Sequence, residues 1–176
     1  FKDLKKEFWG YASIRNVLFG GFFTGMSDSE FAPKESMTRA QFCQMIYNIY
    51  KDDPSVMSGD IDIAFTDVED FRWYYDAVMA CAKAGIVDGV GESRFAPMRS
   101  ITREQMVAIL FRYAAFKGVD TAARADLTAF PDAEKTSAYA HDALSWAVAA
   151  ELVKGTKEGS TIYLDPQGIA TRAQVA

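Results

Sequence analysis

The sequence predicts a mainly α-helical protein built from three copies of one helix–loop–helix unit. The first supporting observation is an internal repeat, because one segment matches the next at a constant offset and a third copy follows with small insertions. The second is that the copies carry apolar residues at helical spacing on either side of a turn. Hydrophobic residues make up 49% of the chain and aromatic residues 14%, which is enough for a packed core.

The three copies share a set of matching positions that defines the repeats. In the second copy these are Phe65, Asp67, Trp73, Gly89, Pro97, Thr102 and Arg103. The predicted repeats are residues 1–53, 65–118 and 130–176. In the third repeat the second helix is expected to be truncated at Ala176, roughly two turns short of its counterpart in repeat two.

The first helix of each repeat follows the opening Phe-x-Asp segment. It is predicted over Trp73–Ala84 in repeat two and over Ser13–Phe23 in repeat one. Gly85 is suited to the left-handed conformation that ends many helices, so the repeat-two helix should stop there. Repeat three has Glu151 at the matching position and therefore departs from the pattern.

A turn and a short extended piece join the two helices of each repeat. In repeat two the extended piece ends at Pro97 and the second helix starts at Thr102. Repeat three has a longer loop at this place, from Thr156 to Tyr163. Polar linkers are predicted between the repeats at Asp52–Asp62 and Lys117–Thr128, and the second linker could carry a helical turn of its own.

Each second helix begins with a capping box followed by an arginine. The three boxes are Thr38 to Gln41, Thr102 to Gln105 and Thr171 to Gln174. Their arginines occupy the first helical position, where the helix dipole disfavours a cation by about 0.3–1 kcal/mol. A compensating partner is therefore expected. The sequence leaves open whether it is a carboxylate of the protein or a bound anion.

The motifs of repeat two resemble the S-layer homology (SLH) motif along its whole length. They read Phe65-Thr-Asp-Val, Trp73-Tyr-Tyr-Asp-Ala-Val, Ala84-Gly-Ile-Val-Asp-Gly-Val-Gly, Phe95-Ala-Pro and Ile101-Thr-Arg-Glu-Gln-Met-Val. Three tandem copies are the usual arrangement in that family. The resemblance implies three helix–loop–helix prongs around a pseudo-threefold axis with a central three-helix bundle, so that the repeats form one pseudo-trimeric domain.

The resemblance also implies a function. Such domains are non-catalytic and anchor an exported S-layer or other surface protein to the bacterial cell wall. Their partner is a secondary cell-wall polysaccharide, often carrying pyruvate ketals, which binds in grooves between repeats. We therefore expect a protein of the cell surface, wall or S-layer, without a cofactor, a bound metal, a nucleic-acid partner or membrane insertion.

The resemblance assigns ligand-binding roles to four sets of residues. Arginines for the anionic sugar are Arg39, Arg103 and Arg172. Carboxylates for sugar hydroxyls, or for orienting an arginine, are Asp3, Asp67 and Asp132. Flat rings for a sugar face are Trp9, Trp73 and Tyr139, and glycines that allow close approach of a ligand are Gly25, Gly89 and Gly155. Each set has a structural alternative, namely capping, core packing or turn formation. Sites that use repeat two are expected to be the best formed.

Composition and residue spacing bear on nucleic-acid binding, membrane spanning and the state of the cysteines. The net charge of −5 argues against a nucleic-acid partner, and no apolar run approaches the roughly 20 residues of a membrane-spanning helix. Cys43 and Cys81 lie in apolar helix-like runs, which favours buried free thiols and leaves a disulfide open. Neither cysteine has the spacing of a metal site.

Four alternative functions remain to be weighed. His141, beside Asp142, is the only histidine, and the other repeats have no matching residue to support catalysis there. The acidic residues Asp67, Glu69 and Asp70 lack the spacing of a calcium loop and indicate a solvated helix entry instead. A protein–protein scaffold predicts an exposed apolar patch, and a cell-wall hydrolase predicts turnover.

Overall fold

The computed structural model describes residues 1–52 and 63–176. Except for Asp52, the predicted linker Asp52–Asp62 lies outside the described residues. The α-helices of the described ranges are α1 (Tyr11–Phe19), α2 (Arg39–Tyr50), α3 (Tyr75–Lys83), α4 (Arg103–Phe116), α5 (His141–Ala149) and α6 (Arg172–Val175). Short 3₁₀ helices span Leu127–Ala129, Ala133–Lys135 and Ala138–Ala140, and two strands are β1 (Thr156–Glu158) and β2 (Thr161–Tyr163).

The mainly helical fold class is confirmed, whereas the pseudo-threefold axis with a central bundle stays a prediction. The chain divides into two compact units. Unit one comprises Phe1–Ile101 with Ala170–Ala176, and unit two comprises Thr102–Ile169. In unit one α2 packs against α3, and in unit two α4 packs against α5.

The predicted capping boxes are all present, at the starts of α2, α4 and α6. In α2 the Thr38 hydroxyl accepts the Gln41 amide at 3.2 Å, and the Gln41 side chain accepts the Thr38 amide at 2.9 Å. These reciprocal bonds satisfy amides that a helix start otherwise leaves unpaired. The second helix of each repeat therefore begins at the residue that the sequence predicted.

The first helices differ from their predicted bounds. Helix α1 ends at Phe19 rather than Phe23, because Gly21 adopts a left-handed conformation (φ 70°) and turns the chain. Helix α3 ends at Lys83, and Gly85 is left-handed as expected (φ 68°). In repeat three Glu151 adopts the same conformation (φ 57°), although it carries a Cβ atom that disfavours it.

The predicted long loop of repeat three is a β-hairpin instead. Strands β1 and β2 pair antiparallel, with Thr156 opposite Tyr163. Gly159 lies in the tight turn with a φ of 61°, a conformation that hairpin turns require. The linker predicted over Lys117–Thr128 ends in the 3₁₀ turn that begins at Leu127, so its predicted helical turn is partly present.

A closed ring of backbone hydrogen bonds lies in unit one. The Met37 amide donates to the Ala170 carbonyl at 3.0 Å, Ala170 donates to Ile101 at 3.0 Å, and Ile101 donates to Met37 at 2.8 Å. All three residues are fully buried, and each directly precedes the threonine of a capping box. The ring therefore joins one residue from each repeat.

The left-handed residues that follow α3 and α5 predict opposite effects of two substitutions. Gly85→Ala should lower the free energy of unfolding by about 1 kcal/mol, since a Cβ there meets no atom within 4 Å and only the backbone conformation resists it. Glu151→Gly should raise the free energy of unfolding by about the same amount. Urea denaturation of both variants checks this, and a destabilised Glu151→Gly variant would contradict it.

Candidate functional site

The arginines of the three Thr-Arg pairs are buried and bind another repeat. Their exposed fractions are 4% for Arg39, 8% for Arg103 and 2% for Arg172. In each case Nε donates to a backbone carbonyl: Arg39 to Phe95 at 2.8 Å, Arg103 to Leu164 at 3.3 Å and Arg172 to Phe31 at 2.8 Å. Repeat one thus reaches repeat two, repeat two reaches repeat three, and repeat three returns to repeat one.

Further contacts hold two of these guanidinium groups. Arg39 Nη2 donates to the Asp88 carbonyl at 2.9 Å, and Arg172 Nη2 donates to the Thr24 carbonyl at 2.6 Å. The guanidinium carbon of Arg39 lies 4.5 Å from the Phe95 ring centroid. That of Arg172 lies 4.4 Å from Phe23, so both cations face aromatic rings.

Arg172 binds backbone carbonyls of its own chain, and a bound anion stays a prediction. Its acceptors are backbone carbonyls, and it forms no ion pair with any residue of 1–52 or 63–176. Burial lowers the pKa of Arg172, while the negative charge of Asp3 acts in the opposite direction. An arginine stays protonated in proteins, so its positive charge persists without a carboxylate in direct contact.

The aspartates of the opening Phe-x-Asp segments clamp backbone amides. Both carboxylate oxygens of Asp67 are used, one by the Phe95 amide and one by the Ala96 amide, each at 2.8 Å. Asp3 binds the matching amides of Phe31 and Ala32, and Asp132 those of Leu164 and Asp165. The second residue of each pair has a positive φ, which a carboxylate clamp helps to hold: Ala32 58°, Ala96 57° and Asp165 52°.

Aspartate and arginine therefore act on the same residue. The Phe95 amide binds Asp67 while the Phe95 carbonyl accepts Arg39. In the same way, the Phe31 amide binds Asp3 while its carbonyl accepts Arg172. The Leu164 amide binds Asp132 while its carbonyl accepts Arg103. The carboxylates thus orient the arginine acceptors, rather than the arginines directly.

The predicted ligand-approach glycines are places of close internal packing. A Cβ on Gly89 would lie 2.8 Å from the Arg94 carbonyl oxygen and 3.1 Å from the Phe65 ring. At Gly155 it would lie 2.7 Å from the Tyr163 carbonyl oxygen and 3.0 Å from the ring of Phe130. These glycines make room for the opening phenylalanine of their repeat.

The three candidate aromatic residues are exposed rather than part of the core. The exposed fractions are 70% for Trp9, 59% for Trp73 and 55% for Tyr139. The Tyr139 hydroxyl donates to the buried carboxylate of Glu104 at 3.0 Å, which also accepts the Ser137 amide at 2.9 Å. Tyr139 is therefore held at its hydroxyl in unit two.

A groove of about 180 Å³ in unit one brings candidate residues from three repeats together. Gly25 comes from repeat one, Trp73 from repeat two and Arg172 from repeat three. The other lining residues are Phe22, Phe23, Thr24, Met26, Gln41, Gln44, Met45 and Asn48. The remaining candidates, Arg39, Arg103, Asp3, Asp67, Asp132, Trp9, Tyr139, Gly89 and Gly155, do not line this groove.

The amide side chains of α2 are functional candidates that the sequence reasoning missed. Gln44 Nε2 donates to Asn48 Oδ1 at 3.0 Å, and Asn48 Nδ2 donates to the Phe22 carbonyl at 3.4 Å. Together with Gln41 they form a polar stripe at spacings of three and four residues, which are neighbours on a helix surface. This spacing of amide side chains is the sequence signal by which the stripe could have been found.

Comparison with known proteins identifies the family of the three repeats. The profile of the S-layer homology domain matches residues 1–43, 64–107 and 129–176. The chain belongs to the S-layer homology family. The resemblance carried by three tandem SLH motifs is thereby confirmed.

Similar proteins include surface-layer and anchoring proteins as well as enzymes. An endoglucanase from a Bacillus species is 32% identical over 176 residues, covering 100% of this chain and 18% of the endoglucanase. The surface-layer 125 kDa protein of Lysinibacillus sphaericus is 29% identical over 169 residues, covering 95% of this chain and 14% of the surface-layer protein. The cellulosome-anchoring protein of Acetivibrio thermocellus is 30% identical over 113 residues, covering 64% of this chain and 25% of the anchoring protein.

This chain therefore spans a quarter or less of the length of these relatives. The family and the surface-layer and cellulosome-anchoring relatives support a cell-wall anchoring module at the cell surface. In the described ranges no helix is both long and apolar enough to cross a membrane.

A second, wider groove of about 570 Å³ lies on SLH repeat two. Its lining includes Asp67 and Glu69 of the predicted solvated acidic face. Glu69 accepts Arg72 Nε at 2.7 Å, and Arg94 Nε lies 3.6 Å from Asp67. Both carboxylates thus contact arginines, and Asp67 also binds two backbone amides.

The lone histidine is a surface residue of SLH repeat three. The His141 side chain is 63% exposed, and its Nδ1 lies 3.8 Å from Asp142 Oδ1, beyond hydrogen-bond distance. Over residues 1–52 and 63–176, no group of three or more histidine, cysteine, aspartate or glutamate side chains is arranged to hold a metal ion.

The buried arginines predict a large loss of stability on truncation. Arg103→Met should lower the free energy of unfolding by about 2–3 kcal/mol, because it removes a buried charged donor and leaves the Leu164 carbonyl unpaired. Arg99→Met, at an exposed position, is the control and should change stability by less than about 0.5 kcal/mol. Equal effects in urea denaturation would contradict the assigned role of Arg103.

The aspartate clamps predict a loss of stability in acid. Burial alone would raise the pKa of Asp67, but hydrogen bonds from the Phe95 and Ala96 amides hold it below its ordinary value of 3.8. The pKa of Asp3 is lowered in the same way. A depressed pKa in the folded state contributes stability above the unfolded pKa. This stability should be lost as the pH falls from about 5 through 3.8 and below.

Asp67→Asn isolates the contribution of one clamp. The asparagine amide nitrogen cannot accept a hydrogen bond, so one backbone amide loses its partner and the variant should be less stable at pH 7. Its free energy of unfolding should also depend less on pH between about 3 and 5 than that of the parent chain. Urea denaturation across this pH range checks both points, and an unchanged pH dependence would contradict the clamp role assigned to Asp67.

Proposed function

We propose that this SLH module binds an anionic, pyruvylated secondary cell-wall polysaccharide and so tethers an S-layer or other surface protein to the wall. The observation that carries the proposal is the groove of unit one. It combines a buried cation, an exposed indole ring and amide side chains. These groups match the carboxylate, the apolar ring face and the hydroxyls of such a sugar.

The anionic part of the ligand is argued from Arg172. Its charge lies at the groove, no carboxylate of residues 1–52 or 63–176 is paired with it, and backbone carbonyls accept its hydrogen bonds without neutralising that charge. A pyruvate ketal presents one carboxylate on a sugar ring. Attraction between this carboxylate and Arg172 therefore acts at short range in a partly desolvated site.

The sugar part is argued from Trp73 and α2. Trp73 is 59% exposed and lies beside the groove, so its flat face is available for stacking. Gln44 and Asn48 supply amide donors and acceptors of the kind that pair with hydroxyl groups. A groove of about 180 Å³ suits one sugar unit rather than a long chain segment.

We further propose that the module is non-catalytic. Hydrolysis of a glycosidic bond requires two carboxyl groups in one cleft, and none of the described residues that line the groove carries one. The enzymes among the relatives are much longer than this chain, which covers 18% of the endoglucanase. The attached part of such a protein can therefore carry the chemistry, while the repeats supply binding.

The alternative is a protein–protein scaffold. A scaffold would favour an apolar docking surface, and Phe19 is 95% exposed. The groove itself, however, is lined by amides and an arginine beside its apolar residues, which favours the polysaccharide.

Calorimetric titration with purified wall polysaccharide tests the proposal. Removal of the pyruvate ketals should weaken binding by at least about tenfold, because it removes the charge that pairs with Arg172. Trp73→Ala should weaken binding to the intact polysaccharide by about tenfold. Phe19→Ala removes an exposed ring outside the groove and should leave binding unchanged.

Circular dichroism and thermal denaturation confirm that each variant is folded. If ketal removal and Trp73→Ala both leave the affinity unchanged, the assigned groove is wrong. If the folded chain binds no wall fraction at all, the scaffold becomes the better explanation.

A further inference from the structure

Two buried thiols meet where α2 packs against α3 in unit one. Cys43 lies on α2 and Cys81 on α3, and both side chains are fully buried. They are free thiols in the structure. The burial expected from their apolar surroundings is thus confirmed, whereas the packing interface brings them together in a way that the sequence did not predict.

The contacts place the Cys81 sulfur directly against the residue that carries the second thiol. The Cys81 thiol donates to the Cys43 carbonyl oxygen at 3.7 Å, and the Tyr50 hydroxyl donates to Cys81 Sγ at 3.2 Å. Cys43 and Cys81 are therefore neighbours across the α2–α3 interface.

The cluster makes the two thiols chemically unequal. Hydrogen bonds from Cys43 and Tyr50 lower the pKa of Cys81, although burial acts against them. Burial and the neighbouring Cys81 raise the pKa of Cys43. Since the thiolate is the reactive form, Cys81 is the better first nucleophile of the pair.

We propose that Cys43 and Cys81 form an intramolecular disulfide that cross-links α2 to α3 when the protein meets a small disulfide oxidant outside the cell. The cell surface lies outside the reducing cytosol, and disulfides persist in such compartments. The contact of Cys81 Sγ with the Cys43 carbonyl across the α2–α3 interface is the structural basis of the pair.

The reaction is balanced as two thiol–disulfide exchanges. The Cys81 thiolate attacks one sulfur of the small disulfide and releases one small thiolate, leaving a mixed disulfide on Cys81. The Cys43 thiolate then attacks Cys81 Sγ and releases the second small thiolate. The two cysteine protons go to the two released thiolates, so the protein loses two hydrogens and the oxidant is reduced to two thiols.

Burial determines when this reaction is fast. In the folded protein both thiols are inaccessible, so the first exchange requires opening of the α2–α3 interface. During folding the thiols are exposed before the two helices pack. The disulfide should therefore form readily on refolding and slowly in the native state.

The cross-link would also fix two walls of the groove. Helix α2 carries Gln44 and Asn48, and α3 begins shortly after Trp73. A bond between the helices limits how far Trp73 can move from α2. This consequence rests on the proposed function, whereas formation of the disulfide does not.

Refolding in a redox buffer tests the proposal without any polysaccharide. The whole chain is unfolded in urea with reductant and refolded with oxidised glutathione or with dithiothreitol. The oxidised sample should lose ~2 Da in intact mass relative to the reduced one, contain no titratable thiol after denaturation, and stay monomeric. Peptide mapping without reductant should join the peptides of Cys43 and Cys81.

The oxidised protein should also be more stable. Closing the loop between the two cysteines reduces the entropy of the unfolded chain, and Tm should rise by about 5–10 °C and fall again with dithiothreitol. The double variant Cys43→Ala, Cys81→Ala is the control, and its Tm should be the same in both buffers. This comparison separates the cross-link from other effects of the oxidant.

Two results would overturn the proposal. One is that both thiols are still free after refolding with oxidised glutathione. The other is that the disulfide forms but lowers Tm, which would show that the native α2–α3 packing cannot accommodate it. Loss of polysaccharide binding in the calorimetric experiment would leave both measurements unaffected, so failure of the two proposals can be told apart.

Discussion

The structure depends on one contact, the buried arginine that donates to a backbone carbonyl of another repeat. A guanidinium buried this deeply is tolerated only where its donors are paired. Its acceptor is held by an aspartate that binds the amide of the same residue, as Asp67 binds Phe95 while Phe95 accepts Arg39. Because the acceptor always belongs to a different repeat, no repeat can satisfy its own arginine. Within each unit, these contacts therefore tie segments of different repeats together.

The same contact connects the fold with the proposed site. Arg172 donates to the carbonyls of Phe31 and Thr24 and also lines the groove. Under the proposed function, its hydrogen bonds support the fold while its positive charge attracts the anionic ligand. Trp73 and the amides of α2 form the more accessible part of the proposed site.

Differences among the repeats explain why equivalent positions do not behave equivalently. Trp73 lines a groove, whereas Tyr139 at the matching place is bound through its hydroxyl to the buried Glu104. The capping boxes of the other two repeats carry alanine where Glu104 stands, so they cannot form this contact. Glu104, in place of an alanine, therefore fixes the side chain of Tyr139, while the capping box itself is the same in all three repeats.

The sequence by itself determined the features that depend on local chemistry and repetition. These are the three repeats, the capping boxes, the helix that stops at Gly85, and the family. Only the tertiary structure decided which groups meet. The acceptors of Arg39, the clamp of Asp67 and the meeting of Cys43 with Cys81 all follow from packing between distant segments. Periodicity along one segment reports its own conformation and buried face, but it contains no information on which distant backbone carbonyl or side chain that face will contact.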